Sequence, residues 1–207
     1  MTLNVEPTGA VCGAVVTGVD LAQPLSTDLV AELRSHWLDN KVLVFPGQTL
    51  SNDDLVRFTR YFGEIGDDPF FGHIDDNENI AAIQRNADEK TAIFAEIFHS
   101  DWSFLEIPPA GTVLYGITIP PMGGNTLFAD QVAAYRALPD ALRDRADELV
   151  AIHSAELGYA PDGAYGAPLV TKIGGMRAEG SDGWMRMGVA TLGNLQRSDV
   201  EACAEQR

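Results

Sequence analysis

The stretch Phe98-His99-Ser100-Asp101-Trp102-Ser103-Phe104 is the part of this chain from which its fold can be inferred. His99 and Asp101 are two positions apart, so on an extended strand their side chains lie on the same side. An imidazole nitrogen and a carboxylate oxygen directed at one point are two-thirds of a two-His-one-carboxylate iron site, which keeps positions open for a co-substrate and O2. The spacing alone is a weak signal, because a His and an Asp that share a turn or pair at the surface have the same pattern.

The residues that follow predict more strands, separated by turns rich in Pro and Gly. The apolar bulk after Asp101 ends at the turn Pro108-Pro109-Ala110-Gly111, and a second turn is Pro120-Pro121-Met122-Gly123-Gly124. Between and after these turns, residues 112–115, extended by Thr118 and Ile119, and residues 125–130 have the composition of strands.

This order of segments resembles the taurine dioxygenase (TauD/TfdA-like) family of Fe(II)/2-oxoglutarate oxygenases. Residues 98–104 match the family pattern W-H-x-D-x-[ST]-F, with Phe98 where the family often has Trp. The P-P-x-G turn, the G-G-[DN]-T-x-[FW] segment and the A-Y-x-x-L helix start are matched at 108–111, 123–128 and 134–138. Two N-terminal patterns, D-L-[AST]-x-P-L and R-x-F-G-E-[IL]-G, are matched at 20–25 and 60–66. The resemblance extends over roughly residues 1–170.

The resemblance implies a mainly β fold with flanking helices (α+β), a double-stranded β-helix or jelly roll that is incomplete at its C-terminus. The implied activity is that of an Fe(II)/2-oxoglutarate-dependent dioxygenase, which uses O2 to hydroxylate a small organic substrate. His99 and Asp101 are expected to bind Fe(II), and Thr126 is expected to bind the 2-oxoglutarate carboxylate, as the matching Thr does in the family. The expected substrate-pocket residues are Asn86, Trp102, Phe104 and Tyr159. Core packing is the alternative role of Trp102 and Phe104.

The C-terminal part of the family pattern is missing. The family's second metal His lies far downstream in a W-D-N-R-x-x-x-H-like segment, followed by an Arg that binds the distal carboxylate of 2-oxoglutarate. None of the four histidines follows His153, and residues 174–207 contain no family motif. The chain is therefore a fragment, a degenerate relative, or a protein in which another residue, with His153 as the leading candidate, supplies the third ligand.

We favour the first two explanations, because the family His near position 153 is not a metal ligand. With two protein ligands and no Arg for the co-substrate, the chain as it stands is expected to turn over 2-oxoglutarate poorly or not at all. The alternative function is a non-catalytic relative that acts as a binding or assembly module.

Two loop residues bear on the substrate. Taurine dioxygenase has a His for the sulfonate at the position of Asp68, and an aspartate would repel a sulfonate, so taurine is not the expected substrate. His73 lies nearby in a polar stretch. A pocket role is one interpretation of His73, and an exposed loop histidine is the favoured one.

Length and charge exclude several classes of protein. A single domain is expected from 207 residues, with N-terminal strands and helices (1–66), a pocket loop (67–98), the first part of the jelly roll with an inserted helix (99–170) and an unassigned tail (171–207). The net charge of -16 argues against nucleic acid or an anionic membrane as a partner.

Cys12 and Cys203 form no Cys-x-x-Cys pair, and no apolar run or signal peptide is present, which predicts a cytoplasmic location. An unpaired strand edge would favour a homo-oligomer.

Local signals outside the motif predict the other elements. Ser26 is expected to cap a helix with the apolar stripe Leu29, Leu33 and Trp37, ending at Asn40, with His36 on its surface. Residues 42–45 are predicted to form a buried strand, Ser51 to cap a second helix, residues 80–83 to form a strand, and residues 134–156 to form one helix.

Overall fold

The computed structural model describes residues 2–66, 72–90, 98, 101, 109–123, 125–154, 170–174 and 188–190, with the backbone alone for 150–154 and the last two ranges. The chain divides into two compact units. The first comprises Met1–Glu96, Gly111–Leu127 and Thr191–Arg207, and the second comprises Ile97–Ala110 and Phe128–Ala190. The single domain expected from the length stays a prediction.

The first unit begins with the paired strands that its glycine-punctuated sequence predicts. Strand β1 (Asn4–Pro7) lies antiparallel to β2 (Ala14–Thr17). Gly9 and Gly13 in the connecting turn both have positive φ angles, which glycine adopts without steric cost. Strand β3 (Leu43–Val44) pairs with β2 in parallel, so β2 is the central strand of a three-stranded sheet.

Two helices complete this layer, and both begin at the predicted caps. Helix α1 (Thr27–Asn40) has Ser26 as its N-cap, which accepts a hydrogen bond from the Leu29 N–H. Helix α2 (Asn52–Arg60) has Ser51 as its N-cap and a complete capping box with Asp54.

The core of the first unit lies between the sheet and these helices. Its buried residues are Val16, Leu21, Leu33 and Phe58. The predicted stripe is confirmed at Leu33, which is fully buried. The strand predicted over residues 42–45 is real but shorter and only half-buried, because β3 has a partner on one side alone among the described strands.

Two strand predictions after α2 needed correction. A hairpin of β4 (His73–Ile74) and β5 (Asn77–Ala81) occupies the region where only residues 80–83 were predicted to be extended. The strand predicted over residues 112–119 is wrong, since residues 109–123 contain no helix or strand. A β-rich composition forms a strand only where another strand completes its hydrogen bonds, and composition does not supply that partner.

The second unit contains the end of the predicted third strand and a pair of short helices. Strand β6 (Leu127–Ala129) leads into α3 (Gln131–Arg136), followed by α4 (Asp140–Asp147). Strands β7 (Val150–Ser154), β8 (Val170–Gly174) and β9 (Gly188–Ala190) follow, with β7 antiparallel to β8 and β6 paired with β9.

The single helix predicted over residues 134–156 is therefore wrong. Pro139 ends the first helix because a proline has no N–H and disfavours helical geometry in the residue before it. The next helix begins after Pro139, and residues 150–154 pair with β8 instead of continuing that helix.

The described residues combine helices with small sheets, as an α+β chain should. Their strands do not by themselves complete a jelly roll. Within the described part of the chain, no helix is long and apolar enough to cross a membrane.

Candidate metal centre

Asp101 is the one predicted iron ligand that the structure describes. It lies in a turn and is half-buried. The expectation that it lies on an extended strand is therefore wrong, and alternation along a strand no longer decides where its carboxylate points relative to the residue two positions earlier. His99 lies outside the described residues, so the pairing of His99 with Asp101 at a metal stays a prediction.

Thr126, the predicted co-substrate residue, is buried with 6% of its surface exposed. It lies immediately before β6, one residue outside the strand on which it was predicted. A solvent-exposed Thr126 would have contradicted the predicted role, and its burial is consistent with that role. The orientation of Thr126 toward the predicted ligands stays a prediction.

Of the four predicted pocket residues, only Asn86 is described. It is exposed and lies in a turn that Glu89 closes. The Asn86 N–H and its side-chain amide both donate to Glu89 Oε1, each at 3.1 Å, and the Glu89 N–H donates to the Asn86 carbonyl at 3.2 Å. These bonds give Asn86 a local structural role. Trp102, Phe104 and Tyr159 lie outside the described residues.

The other three histidines lie on different kinds of secondary structure, one on a helix and two on strands. His36 is on the surface of α1, 4.0 Å from Glu32 Oε1, as expected for a helix-surface residue. His73 is exposed, as the favoured interpretation predicts, but it lies on β4 and not in a loop. His153 lies on β7 with Thr171 opposite it, on a strand instead of the predicted helix.

The donor chemistry of His99 and Asp101 fits Fe(II), because imidazole nitrogen and carboxylate oxygen are the two ligand types of the facial site. A half-buried carboxylate at Asp101 is accessible to a metal ion while part of its surface is shielded from water. Among the residues that the structure describes, no three His, Cys, Asp or Glu side chains are grouped so that they could hold a metal.

The structure also shows a hydrogen-bond network, missed by sequence reasoning, that holds segment 111–127 in the first unit. The Tyr115 hydroxyl accepts a hydrogen bond from the Leu50 N–H at 3.1 Å and donates to the Gln48 carbonyl at 3.4 Å. The Gln48 side chain accepts from the Leu21 N–H at 2.9 Å and donates to the Val19 carbonyl at 3.1 Å. A glutamine directly after Pro46-Gly47 was a signal only for a turn.

A buried tyrosine connects the two helices that follow β6. The Tyr135 hydroxyl donates to Asp147 Oδ1 at 2.6 Å, so α3 is tied to the last residue of α4. The hydrogen bond to Asp147 is the main cause, and burial the second, that raises the pKa of Tyr135 above its ordinary value of 10.0. Asp130 caps α3 by accepting from the N–H groups of Val132 and Ala133, which fixes the direction of the chain after β6.

Known proteins resemble this chain in both sequence and structure. An (S)-phenoxypropionate/alpha-ketoglutarate-dioxygenase of Delftia acidovorans is 36% identical over 161 residues, covering 74% of this chain and 55% of the relative. An alpha-ketoglutarate-dependent sulfate ester dioxygenase of Pseudomonas putida is 31% identical over 161 residues, covering 77% of this chain and 52% of the relative. The chain thus spans about half the length of these curated relatives.

A crystal structure of a taurine dioxygenase from Burkholderia xenovorans has the same fold, with a TM-score of 0.71 and 28% identity. The similarity covers 99% of this chain and 71% of that one. The sequence also matches the family described as taurine catabolism dioxygenase TauD, TfdA family from residue 4 to residue 181. Because that match extends over most of the chain and includes both predicted iron ligands and Thr126, this protein belongs to the TauD, TfdA family.

Proposed function

We propose that this protein carries out Fe(II)- and 2-oxoglutarate-dependent oxidation of a small organic substrate on a jelly-roll scaffold. The observation that carries the proposal is the family match over residues 4–181, which contains the His99-x-Asp101 pair. The alternative, a non-catalytic binding module, receives no support from the relatives, whose names are those of dioxygenases.

His99 and Asp101 are the residues that would hold Fe(II), with positions left open beside them. The bound iron supplies the chemistry of O2 activation coupled to oxidative decarboxylation of 2-oxoglutarate. Thr126 would donate its hydroxyl to a carboxylate of the co-substrate. Its burial supports this role, because a hydrogen bond to a charged acceptor is stronger away from water.

The names of the relatives guide the choice of substrate. They act on (S)-phenoxypropionate and on sulfate esters, both of which are small organic anions. Trp102 and Phe104 would form apolar walls beside the metal and exclude water from the reaction. We therefore propose a small organic acid or ester with an apolar body as the substrate class.

The test is succinate formation by the purified 207-residue chain with Fe(II), 2-oxoglutarate and either (S)-phenoxypropionate or an alkyl sulfate. We expect slow turnover that depends on Fe(II) and on the substrate, and that is lost in Asp101→Ala. The rate should be low because the sequence supplies two recognised iron ligands and no recognised carboxylate-binding Arg. Equal succinate formation by the wild type and by Asp101→Ala would overturn the proposal.

A further inference from the structure

We infer that Tyr115 is a positioning residue for the proposed 2-oxoglutarate site, because its hydroxyl fixes the segment that carries Thr126. The inference rests on the proposed function for the role of Thr126. The geometry on which it depends, however, lies entirely within the first compact unit, which contains residues 111–127.

Segment 109–123 is not held in place by a regular element. It contains no helix or strand, so it lacks the regular hydrogen bonds of a sheet. Tyr115 is half-buried, whereas every other described residue from 109 to 123 is exposed. After the bend at residues 121–123, the chain is buried again at Thr126. Tyr115 is therefore the side chain of this segment that is best placed to fix its path.

The partners of Tyr115 are themselves fixed. Its hydroxyl bonds to the main chain at Leu50 and Gln48, in the loop between β3 and α2. The Gln48 side chain bonds to the main chain on both sides of Asp20, at Val19 and Leu21, and Leu21 is a core residue. One phenol hydroxyl therefore connects an irregular segment, through the Gln48 loop, to the main chain at the core residue Leu21.

A second contact holds the start of the same segment. Gly111 lies against the indole of Trp37, so closely that a Cβ at this position would be 2.7 Å from Cζ2 of the ring. With the chain held at residues 111 and 115, about ten residues separate the Tyr115 anchor from Thr126. In so short a connection, loss of the anchor should displace Thr126. Binding sites tolerate displacements of only about 0.5 Å in the groups that contact the ligand.

The test is Tyr115→Phe, which keeps the ring and removes the hydroxyl. Tyr61→Phe is the matched control, since the Tyr61 hydroxyl accepts a hydrogen bond in the same unit from a residue outside segment 111–127, the Leu25 N–H at 3.0 Å. Amide hydrogen exchange should be at least about three-fold faster over residues 111–127 in Tyr115→Phe and unchanged there in Tyr61→Phe. Equal exchange of this segment in both variants would overturn the inference.

The link to the co-substrate is tested by anaerobic binding of 2-oxoglutarate to the Fe(II)-loaded chain. We expect Tyr115→Phe to weaken binding about five-fold, the equivalent of one ordinary hydrogen bond, and Tyr61→Phe to leave it unchanged. In a Thr126→Ala background, Tyr115→Phe should have less than about a two-fold effect, because the two residues act on one contact. A full effect in that background would overturn the positioning role. A wild-type chain that binds no 2-oxoglutarate would overturn the proposed function and, with it, this role of Tyr115, while the exchange result would still report on the anchor.

Discussion

The sheet-and-helix layer of residues 2–66 and the segment 111–127 belong to the same compact unit but are held in different ways. The layer has paired strands, two capped helices and a buried core that includes Leu33 and Phe58. The described residues of the segment form no helix or strand before β6, and Tyr115 and Gly111 attach the segment to the layer. The part that carries a proposed functional residue, Thr126, therefore takes its order from a scaffold built elsewhere in the sequence.

The largest expected effect is on the layer itself. Leu33→Ala removes a fully buried side chain from the centre of the core and should lower the free energy of unfolding by about 2–5 kcal/mol. Leu38→Ala on the same helix is the matched control, because that side chain is 55% exposed and should change stability by less than about 0.5 kcal/mol. Urea denaturation compares the two. Similar losses would show that the core is not where the structure places it.

A substitution where segment 111–127 contacts the sheet-and-helix layer should lower the free energy of unfolding by a smaller amount. Gly111→Ala places a Cβ 2.7 Å from the Trp37 ring and should destabilise by about 1–3 kcal/mol, as overpacking does. Gly66→Ala has nothing within 4 Å of the added Cβ and serves as the control. Thermal unfolding monitors both variants. If both glycines tolerate alanine equally, the segment is not packed on the indole.

The cap of α2 is expected to contribute a smaller amount. Ser51→Ala removes the side chain that accepts from the Asp54 N–H, and the loss should be about 1 kcal/mol. Ser35→Ala, an exposed residue in the interior of α1, makes the same chemical change away from a cap and should be nearly neutral. A Ser51→Ala variant as stable as Ser35→Ala would contradict the capping box.

The smallest expected effect is the acid dependence of the same cap. Hydrogen bonds from the Ser51 side chain and backbone, and then from Arg57, lower the pKa of Asp54 from 3.8 to about 2. Because the pKa of Asp54 is lower in the folded state, its carboxylate stabilises the folded state at pH values above 3.8. This stabilisation is lost as the pH falls through about 2. Carboxyl NMR titration should show the low pKa in the wild type and a rise toward 3.8 in Ser51→Ala. An Asp54 that titrates at 3.8 in the wild type would contradict this assignment.

Sequence reasoning succeeded where short-range chemistry decides the structure. Ser26 and Ser51 were recognised as caps because each side chain bonds to an N–H only three residues away. Gly9 and Gly13, which have positive φ angles in the turn between β1 and β2, are likewise a local signal. The ordered motifs from residue 98 to residue 138 were sufficient to predict the family, which the match over residues 4–181 confirms.

It failed where a distant partner decides. Residues 112–119 have the composition of a strand, but composition does not supply a neighbouring strand. The single helix predicted over residues 134–156 does not form, because Pro139 separates α3 from α4. Tyr115 was read as a strand residue, and its hydrogen bonds with Leu50 and Gln48, about 65 residues earlier, could not be read from local pattern.

Divalent metal affinity is the most direct measure of whether His99 and Asp101 hold the iron. Calorimetric titration with Mn(II) in the presence of 2-oxoglutarate should show about one ion per chain, and both His99→Ala and Asp101→Ala should weaken binding at least about ten-fold. His36→Ala is the matched control, because it removes an imidazole from the surface of α1 and should leave the affinity unchanged. Wild-type affinity in His99→Ala, or an equal loss in His36→Ala, would contradict the assignment of His99 and Asp101 as the iron ligands.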